Sequence, residues 1–321
     1  MFEARTYDVK LGRGRTAYQV PMLPKLTVLN MGAGRQSVAL LVLAIQGVIP
    51  KPDVVIHADT GHERKDTVRY IEQVIRPACQ AAGIVFLVVS NGNIRQDTLA
   101  SVADPGTDAK AIPRIANAPF WTDKGDGQRG APLKRLCTSE YKVVPITRAI
   151  RELLGIAPGD PVNTKAHPTH VEQWIGIATE EAKRANSGKA VGAQRIKWST
   201  MRYPLLELGL STADCIEIIR EHGWPVPVKS ACVSCPYRSL GSWKRVKRED
   251  PDTWADAVDF DRNLRIPAGR GRINGTHPAQ KRAHLRGAAY PAYLTPTLIP
   301  LGEIDFSDVD EADSESFGGE C

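Results

Sequence analysis

The chain has 321 residues, of which 42% are hydrophobic and 24% charged, and its net charge is +6. This length and composition suit one large or two modest folded domains with a sizeable core. No run of about 18 apolar residues is present, which excludes a membrane-spanning helix, and the polar N-terminus has no apolar signal segment. We therefore expect a cytoplasmic protein without a membrane partner.

The charge is unevenly distributed along the chain. Residues 302–321 hold eight acidic and no basic side chains, so residues 1–301 hold 42 basic and 28 acidic side chains, a net charge of +14. This excess suits a polyanionic partner, although a solvated basic surface would give the same composition. The acidic tail is either disordered or folded back onto the basic body. The basic positions nearest to the tail are Lys244–Arg248, Arg262, Arg265, Arg270, Arg272, Lys281, Arg282 and Arg286.

Apolar runs alternate with amphipathic segments and predict a sheet with helices. Strands are predicted at residues 26–30, 54–58, 84–89 and 171–178, the third of them fully buried. Helices are predicted at residues 38–45, 67–82, 142–154, 212–222 and 242–264, the last with a break at Asp250-Pro251. Residues 101–133 predict a long loop or lid. Continuous apolar strands are typical of a parallel sheet that is covered on both faces.

The segment from Gly32 to Ser37 lies between the first strand and the first helix. Such a junction offers backbone N–H groups and the positive end of a helix dipole, which suits a phosphate group. Gly32 and Gly34 allow close approach and positive φ, and Ser37 can cap the helix or bind a phosphate oxygen. A nucleotide site and a plain turn both remain open. Two other strand ends carry polar turns, Asp59–Gly61 and Ser90–Asn93, and Asp59 is either a ligand or a turn former.

Four of the six cysteines fall into two groups. Cys232 and Cys235 form a C-x-x-C that is followed by Pro236, and in a cytoplasmic chain this pattern indicates metal or redox chemistry before a disulfide. The alternatives are an iron–sulfur cluster, a zinc site, a redox dithiol and a buried structural pair. Cys79 and Cys215 occupy apolar helix positions, which favours small core residues.

A series of motifs, each weak by itself, resembles one family. The motifs in chain order are GAGRQS, HADTGHE, SNGNIR, LCTSEYKVVPI, QWIGIATEEAKR, RYPLLEL and SACVSCPYRS. Over residues 26–265 this order resembles the phosphoadenosine phosphosulfate reductase-like family of the adenine-nucleotide α-hydrolase superfamily, which includes the N-type ATP pyrophosphatases. Their loop is S-G-G-x-D-S, so Gln36 stands where the family has Asp and removes a charge.

The resemblance implies a doubly wound α/β fold with a five-stranded parallel sheet and a smaller, cysteine-containing helical C-terminal region. We expect a nucleotide-binding domain at 1–210, a helical, basic, metal-cluster region at 211–301 and an acidic tail at 302–321. It further implies catalytic residues and a nucleotide site. The catalytic residues are Ser37, Asp59 and Arg184; the nucleotide-binding residues are Gly32, Ala33, Gly34, Arg35, Gln36, Ser37, Asp59 and Gly176. For Arg184, an ion pair with Glu181 on the surface fits the spacing equally well.

The resemblance also implies ATP, Mg²⁺ and a [4Fe–4S] cluster, with zinc as the alternative. The cysteines that it implies as ligands are Cys137, Cys232, Cys235 and Cys321. The function implied is ATP cleavage to AMP and pyrophosphate, which adenylates an acceptor for sulfur incorporation. The acceptor would be nucleic acid, as in DNA phosphorothioation or tRNA thiolation, and a cysteine desulfurase would be the sulfur donor. The alternatives are a sulfonucleotide reductase and a nucleotide-binding partner without turnover.

Overall fold

The computed structural model describes residues 26–103, 118–122, 131–132, 135–161, 171–186, 198–265 and 292–311. These residues divide into two compact units, and each unit draws on separate parts of the chain. The first takes its described residues from 1–58, 66–89 and 145–230, and the second from 59–65, 90–144 and 231–321. This interleaved division differs from the continuous domains that the sequence predicts.

The first unit contains the predicted five-stranded sheet. In the part of the chain that is described, its strands are β1 (Leu26–Met31), β2 (Val54–Asp59), β3 (Val85–Ser90), β6 (Val171–Trp174) and β7 (Ser199–Arg202), in the order β3-β2-β1-β6-β7. The central strand β1 runs parallel to β2 on one side and to β6 on the other, and β6 runs parallel to β7. The α/β fold class predicted from the sequence is therefore confirmed.

Helices that follow the strands complete the first unit. They are α1 (Arg35–Ile45), α2 (Lys65–Tyr70), α3 (Arg76–Ala81), α5 (Val144–Leu153), α6 (Ala182–Asn186), α7 (Pro204–Glu207) and α8 (Thr212–Glu221). A π-helical turn at Ile71–Ile75 joins α2 to α3, so the single helix predicted at 67–82 is present with a local widening. Helix α1 is apolar on nearly all sides and packs against α8, with the residues from Ser37 to Ala44 buried.

Strand β3 departs from the prediction. It was expected to be fully buried, but it is an edge strand in which Val85 and Val88 remain 52% and 44% exposed. A continuous apolar run gives no information about whether a strand lies at the centre or at the edge of a sheet. The fourth predicted strand is also shorter than expected, since β6 ends at Trp174 before the turn that contains Gly176.

The second unit is built on helices α4 (Ile94–Ala103), α9 (Leu240–Glu249) and α10 (Pro251–Leu264), with Trp243 and Phe260 in its core. The predicted break at Asp250 is confirmed, because this residue ends α9 and caps α10 by accepting from Thr253 N at 3.1 Å. Three short strands pair antiparallel in the order β5-β4-β8: Trp121–Thr122 is β4, Ala131–Pro132 is β5 and Ala292–Tyr293 is β8.

The predicted loop at 101–133 is therefore partly regular structure, because it holds the end of α4 and two of these strands. Residues 104–117, 123–130 and 133 of this segment lie outside the described residues, so the lid stays a prediction. None of the helices in the described ranges is long and apolar enough to cross a membrane.

Candidate functional site

The glycine loop lies where the sheet order reverses. From β1, the chain continues to β2 and β3 on one side of the sheet, and later to β6 and β7 on the other. In open α/β sheets, ligands bind in the crevice at the carboxyl ends of the strands next to such a switch point. The loop after β1 and the turn after β6, which contains Gly176, are the two segments at this position.

The backbone of the loop differs from the prediction at one residue. The positive φ falls on Ala33, at 55°, whereas Gly34 is extended, with φ −100° and ψ 177°, and Gly32 also lies outside the left-handed region. A Cβ on Gly34 would lie 3.5 Å from Ser230 Cβ, and one on Gly32 would lie 3.9 Å from Ser37 Oγ, which are ordinary contacts. Neither the φ angles nor the neighbouring atoms require glycine at these two positions. The reason that remains is the close approach of a ligand to the bare backbone.

Helix α1 presents an N-terminus that no side chain caps. Its N-cap residue is Gly34, and its first turn contains no acidic residue. Ser37 does not cap the helix as one alternative expected, because its hydroxyl donates back to the Gly34 carbonyl at 3.2 Å. The positive end of an 11-residue helix is therefore left to interact with an anion.

Gly176 packs directly against the start of α1. A Cβ at this position would lie 2.8 Å from Ser37 N and 2.9 Å from the carbonyl carbon of Gln36, so this close approach admits only glycine. The Gln36 side chain continues the contact, since its Nε2 donates to Glu181 Oε2 at 3.4 Å and to Thr212 Oγ1 at 3.1 Å.

Arg184 joins this group through Glu181, because Arg184 Nη1 lies 2.6 Å from Glu181 Oε1, and both side chains are partly buried. The structure thus brings the loop, Gly176 and Arg184 into one neighbourhood. The Glu181–Arg184 pair expected from the spacing is present and is part of this neighbourhood.

Asp59 ends β2 and stabilises its own turn. Its Oδ1 accepts from Gly61 N at 2.7 Å, which is the bond that a turn-forming aspartate makes. Gly61 has φ +73°, and Asn93 Nδ2 donates to its carbonyl at 2.6 Å, so the two polar turns predicted at strand ends pack together. This geometry accounts for Asp59 as a turn former, and its role toward a nucleotide stays a prediction.

In the second unit, the turn Cys232–Cys235, here called the cysteine turn, is held by the segment that follows β2. Glu63 and Cys232 form an isolated antiparallel bridge, and Val233 N donates to the His62 carbonyl at 2.9 Å. The Cys232 Sγ atom lies 3.3 Å from Thr60 Oγ1 and 3.8 Å from Glu63 Oε1. Burial, followed by the Glu63 carboxylate, raises the pKa of the Cys232 thiol to about 12, against the opposing effects of Lys142 and Thr60.

The predicted ligands come together only in part. The charge of Cys137 also acts on the pKa of Cys232, so these two thiols, 95 positions apart in the sequence, are near one another. Within the described ranges, however, no three His, Cys, Asp or Glu side chains are grouped as a metal site requires. Cys321 lies outside those ranges. The described cysteines by themselves do not fit a cluster or zinc, and the metal site stays a prediction.

Cys79 and Cys215 are core residues, as the sequence predicts. Both are fully buried among the apolar side chains around α1. Burial raises the pKa of Cys79 to about 11 and that of Cys215 to about 12, so both remain protonated at neutral pH. Neither has the exposed, electropositive surroundings of a reactive cysteine.

A buried polar network supports the cysteine turn, and the sequence reading did not identify it. His62 is 6% exposed, with its Nδ1 at 3.2 Å from Ser234 Oγ and its Nε2 at 2.9 Å from Asp256 Oδ2. Arg95 Nε holds the other oxygen of Asp256 at 2.8 Å. His62 and Glu63 end the motif HADTGHE. This histidine–glutamate pair, in a chain that also has a C-x-x-C, is the signal that could have identified His62.

The first part of the acidic tail folds back onto helix α9. Lys244 Nζ donates to the Val309 carbonyl at 2.9 Å, and Arg248 pairs with Glu311 at 2.6 Å. Ile304 and Phe306 are buried in the core of the second unit, which anchors this segment. The fold-back alternative therefore holds up to residue 311. The rest of the tail and the basic positions from Arg270 to Arg286 lie outside the described residues.

No protein-family model matches this chain, and no curated protein gives a significant match. Among solved structures, the chain is similar to a phosphoadenylyl-sulfate (PAPS) reductase from Candida auris, at 15% identity and a TM-score of 0.33, covering 63% of this chain and 74% of that one. It is also similar to the U34-tRNA thiolase NcsA from Methanococcus maripaludis, solved with its [4Fe–4S] cluster, at 13% identity and a TM-score of 0.37, covering 92% of this chain and 79% of that one.

Similarity at this identity and TM-score does not define an activity, so the function has to be inferred from the residues of this chain.

Proposed function

We propose that the protein binds ATP at the Gly32–Ser37 loop and cleaves it to AMP and pyrophosphate, adenylating an acceptor for sulfur incorporation. The observation that carries this proposal is the pair of glycines at the sheet's switch point. Neither is required by its own conformation or neighbours, and the second is the N-cap of a helix without a side-chain cap. A bare backbone at the positive end of a helix suits a polyphosphate.

The residues around the loop would act through charge and position. Backbone N–H groups at the start of α1 would hold the pyrophosphate as negative charge develops on it. Arg184, oriented by Glu181 at 2.6 Å, would supply a cation. Ser37 would contact a phosphate oxygen, and Asp59 would lie near ribose or base. Mg²⁺ bound to the nucleotide would neutralise part of the phosphate charge. We derive no step through an iron–sulfur cluster or zinc, because the described cysteines do not fit one.

The nucleotide products test the reaction class. Protein incubated with ATP, Mg²⁺ and candidate acceptors should release AMP and pyrophosphate, which chromatography and an enzyme-coupled pyrophosphate assay can measure. ADP and phosphate as the main products would move the protein to another class of nucleotide enzyme. A Gly34→Val variant is the matched control, since it would remove activity that belongs to this loop and leave that of a contaminant.

For the acceptor we propose nucleic acid, DNA or tRNA, with a cysteine desulfurase as sulfur donor. The support is the net charge of +14 over residues 1–301. Each duplex phosphate that is neutralised adds about −0.9 to the slope of log K against log salt, so four to six contacts would give roughly −4 to −5. Filter binding with duplex DNA and tRNA at several salt concentrations measures this slope. No complex with either at low salt would contradict the proposal.

A sulfonucleotide reductase is the second candidate. It is favoured by Glu320-Cys321, which matches the first two residues of the E-C-G-x-H sequence in which these enzymes carry their cysteine. Glu320 and Cys321 lie outside the described ranges. This candidate expects tight binding of a sulfonucleotide and negligible binding of DNA or tRNA at physiological salt. A nucleotide-binding partner without turnover, the third candidate, expects ATP binding and no product.

A further inference from the structure

We infer that Gln36 is a positioning residue, whose neutral amide links the phosphate loop to Glu181 and so places Arg184 beside the nucleotide. This inference deepens the proposed function and rests on it. Gln36 stands where the S-G-G-x-D-S pattern has an aspartate, so the departure changes a charged residue of the loop into a hydrogen-bond donor.

The side chain of Gln36 contacts two segments outside the loop, one at Glu181 and one at Thr212. Its Nε2 donates to Glu181 Oε2 at 3.4 Å and to Thr212 Oγ1 at 3.1 Å, and its backbone lies against Gly176. One side chain therefore connects the start of α1 with the turn after β6 and with the start of α8. No other residue type of this length offers two N–H donors from one terminal atom without a charge.

The partners of Gln36 explain why it is neutral. Gln36 contacts the carboxylate of Glu181 directly, and it also contacts Thr212, whose backbone N donates to Glu180 Oε1 at 2.9 Å. Burial opposes ionisation of Glu180, but hydrogen bonds from Thr212, from its own backbone and from Thr179 together outweigh it and lower its pKa, so this carboxylate stays charged. A carboxylate at position 36 would face the negative charge of Glu181 at hydrogen-bond distance, which is destabilising.

Glu181 connects Gln36 to the guanidinium of Arg184. Glu181 Oε1 holds Arg184 Nη1 at 2.6 Å while its other oxygen accepts from Gln36. Glu181 is therefore fixed from two sides, and its position determines where the Arg184 guanidinium lies relative to the loop. A carboxylate at 36 would repel Glu181 and thereby displace Arg184, which lowers nucleotide affinity.

A double-mutant cycle with isosteric substitutions tests this inference. We expect Gln36→Glu to weaken ATP binding at least about tenfold, which corresponds to about 1.4 kcal/mol. Adding Glu181→Gln restores an amide–carboxylate pair, with the carboxylate now at position 36 and the amide at position 181. The double variant should therefore bind ATP within about threefold of the wild type. Isothermal titration calorimetry gives the four dissociation constants, and thermal unfolding shows that each variant is folded.

A matched control lies on α8, where Arg220 and Glu217 form an exposed ion pair at 2.7 Å. Glu217→Gln removes the same charge from a similar pair and should leave ATP affinity unchanged. Gln36→Glu protein that binds ATP as the wild type does, or a double variant no better than Gln36→Glu, would overturn the inference and leave the proposed function standing. Wild-type protein that binds no ATP would overturn both.

Discussion

The phosphate loop and the cysteine turn differ in how the chain builds them. The loop needs only the junction of β1 with α1 and one glycine after β6, and its binding groups are backbone atoms. The predicted cysteine ligands are side chains from distant parts of the sequence, such as Cys137 and Cys232, whose thiols interact although they are 95 positions apart. A site made of backbone follows from the order of strands and helices, whereas a ligand set of side chains depends on tertiary packing.

The largest expected effect concerns the cysteine turn. The sequence predicts that anaerobically purified protein contains iron and sulfide and absorbs visible light, because clustered thiolates bind metal or protons. Serine at Cys137, Cys232 or Cys235 should in each case remove the metal, because a C-x-x-C turn supplies only half of a four-ligand shell. Iron and sulfide counted per chain, together with the absorption spectrum, measure this outcome.

Cys215→Ser is the control for that experiment. Cys215 is a fully buried core residue of the first unit, so its substitution should leave the metal content unchanged. Metal-free wild-type protein would contradict the prediction. The cysteine turn would then be a protonated thiol pair beside Glu63 that binds no metal, and of the two regions only the phosphate loop would remain as a candidate ligand site.

A smaller effect separates the two glycines of the phosphate region. Gly176→Ala should lower the free energy of unfolding by about 1–3 kcal/mol, the cost of overpacking, because the new Cβ would lie 2.8 Å from Ser37 N. Gly34→Ala should change it by less than about 0.5 kcal/mol, since its Cβ makes an ordinary contact. Urea unfolding followed by circular dichroism compares the two. Equal losses would show that Gly34 also serves the fold.

The smallest effect is a dependence of stability on pH. Burial lowers the pKa of His62 below 6.5, although the hydrogen bond to Asp256 opposes this shift. The unfolded chain therefore takes up a proton near pH 6.5, and the folded protein only at lower pH. Stability should be fully present above pH 6.5 and should decline as the pH falls through the folded pKa.

His62→Gln removes this titration and keeps a donor and an acceptor. Its unfolding free energy should vary less than that of the wild type between pH 7.5 and the onset of carboxylate titration. Parallel pH profiles for the two proteins would show that His62 does not contribute. The carboxylates with lowered pKa, among them Asp250, titrate at lower pH and do not interfere in this window.

Much of the first unit could be predicted from the sequence. The β-branched strands, the apolar helix α1 and the glycine junction are local patterns, so β1, β2, α1 and α8 were found close to their observed positions. The exposure of β3 could not be predicted, because neighbouring strands decide it. The positive φ at Ala33 was missed because glycine is the residue expected there.

The second unit was harder to predict. Strands β4, β5 and β8 have two residues each and too little pattern to be recognised. The His62–Asp256 contact joins positions 194 residues apart, and no local pattern specifies it. The convergence of Cys137 with Cys232 was inferred from the family resemblance alone.

The central claim is that the Gly32–Ser37 loop binds ATP through its bare backbone, and calorimetry on Gly34→Val protein tests it most directly. Position 34 is extended and admits a side chain, so this variant should fold, with unfolding like that of the wild type. We expect the wild type to bind ATP with Mg²⁺ and the variant to show no measurable binding, because the side chain would occupy the space of the phosphates. Equal ATP affinity in the folded variant would contradict the account.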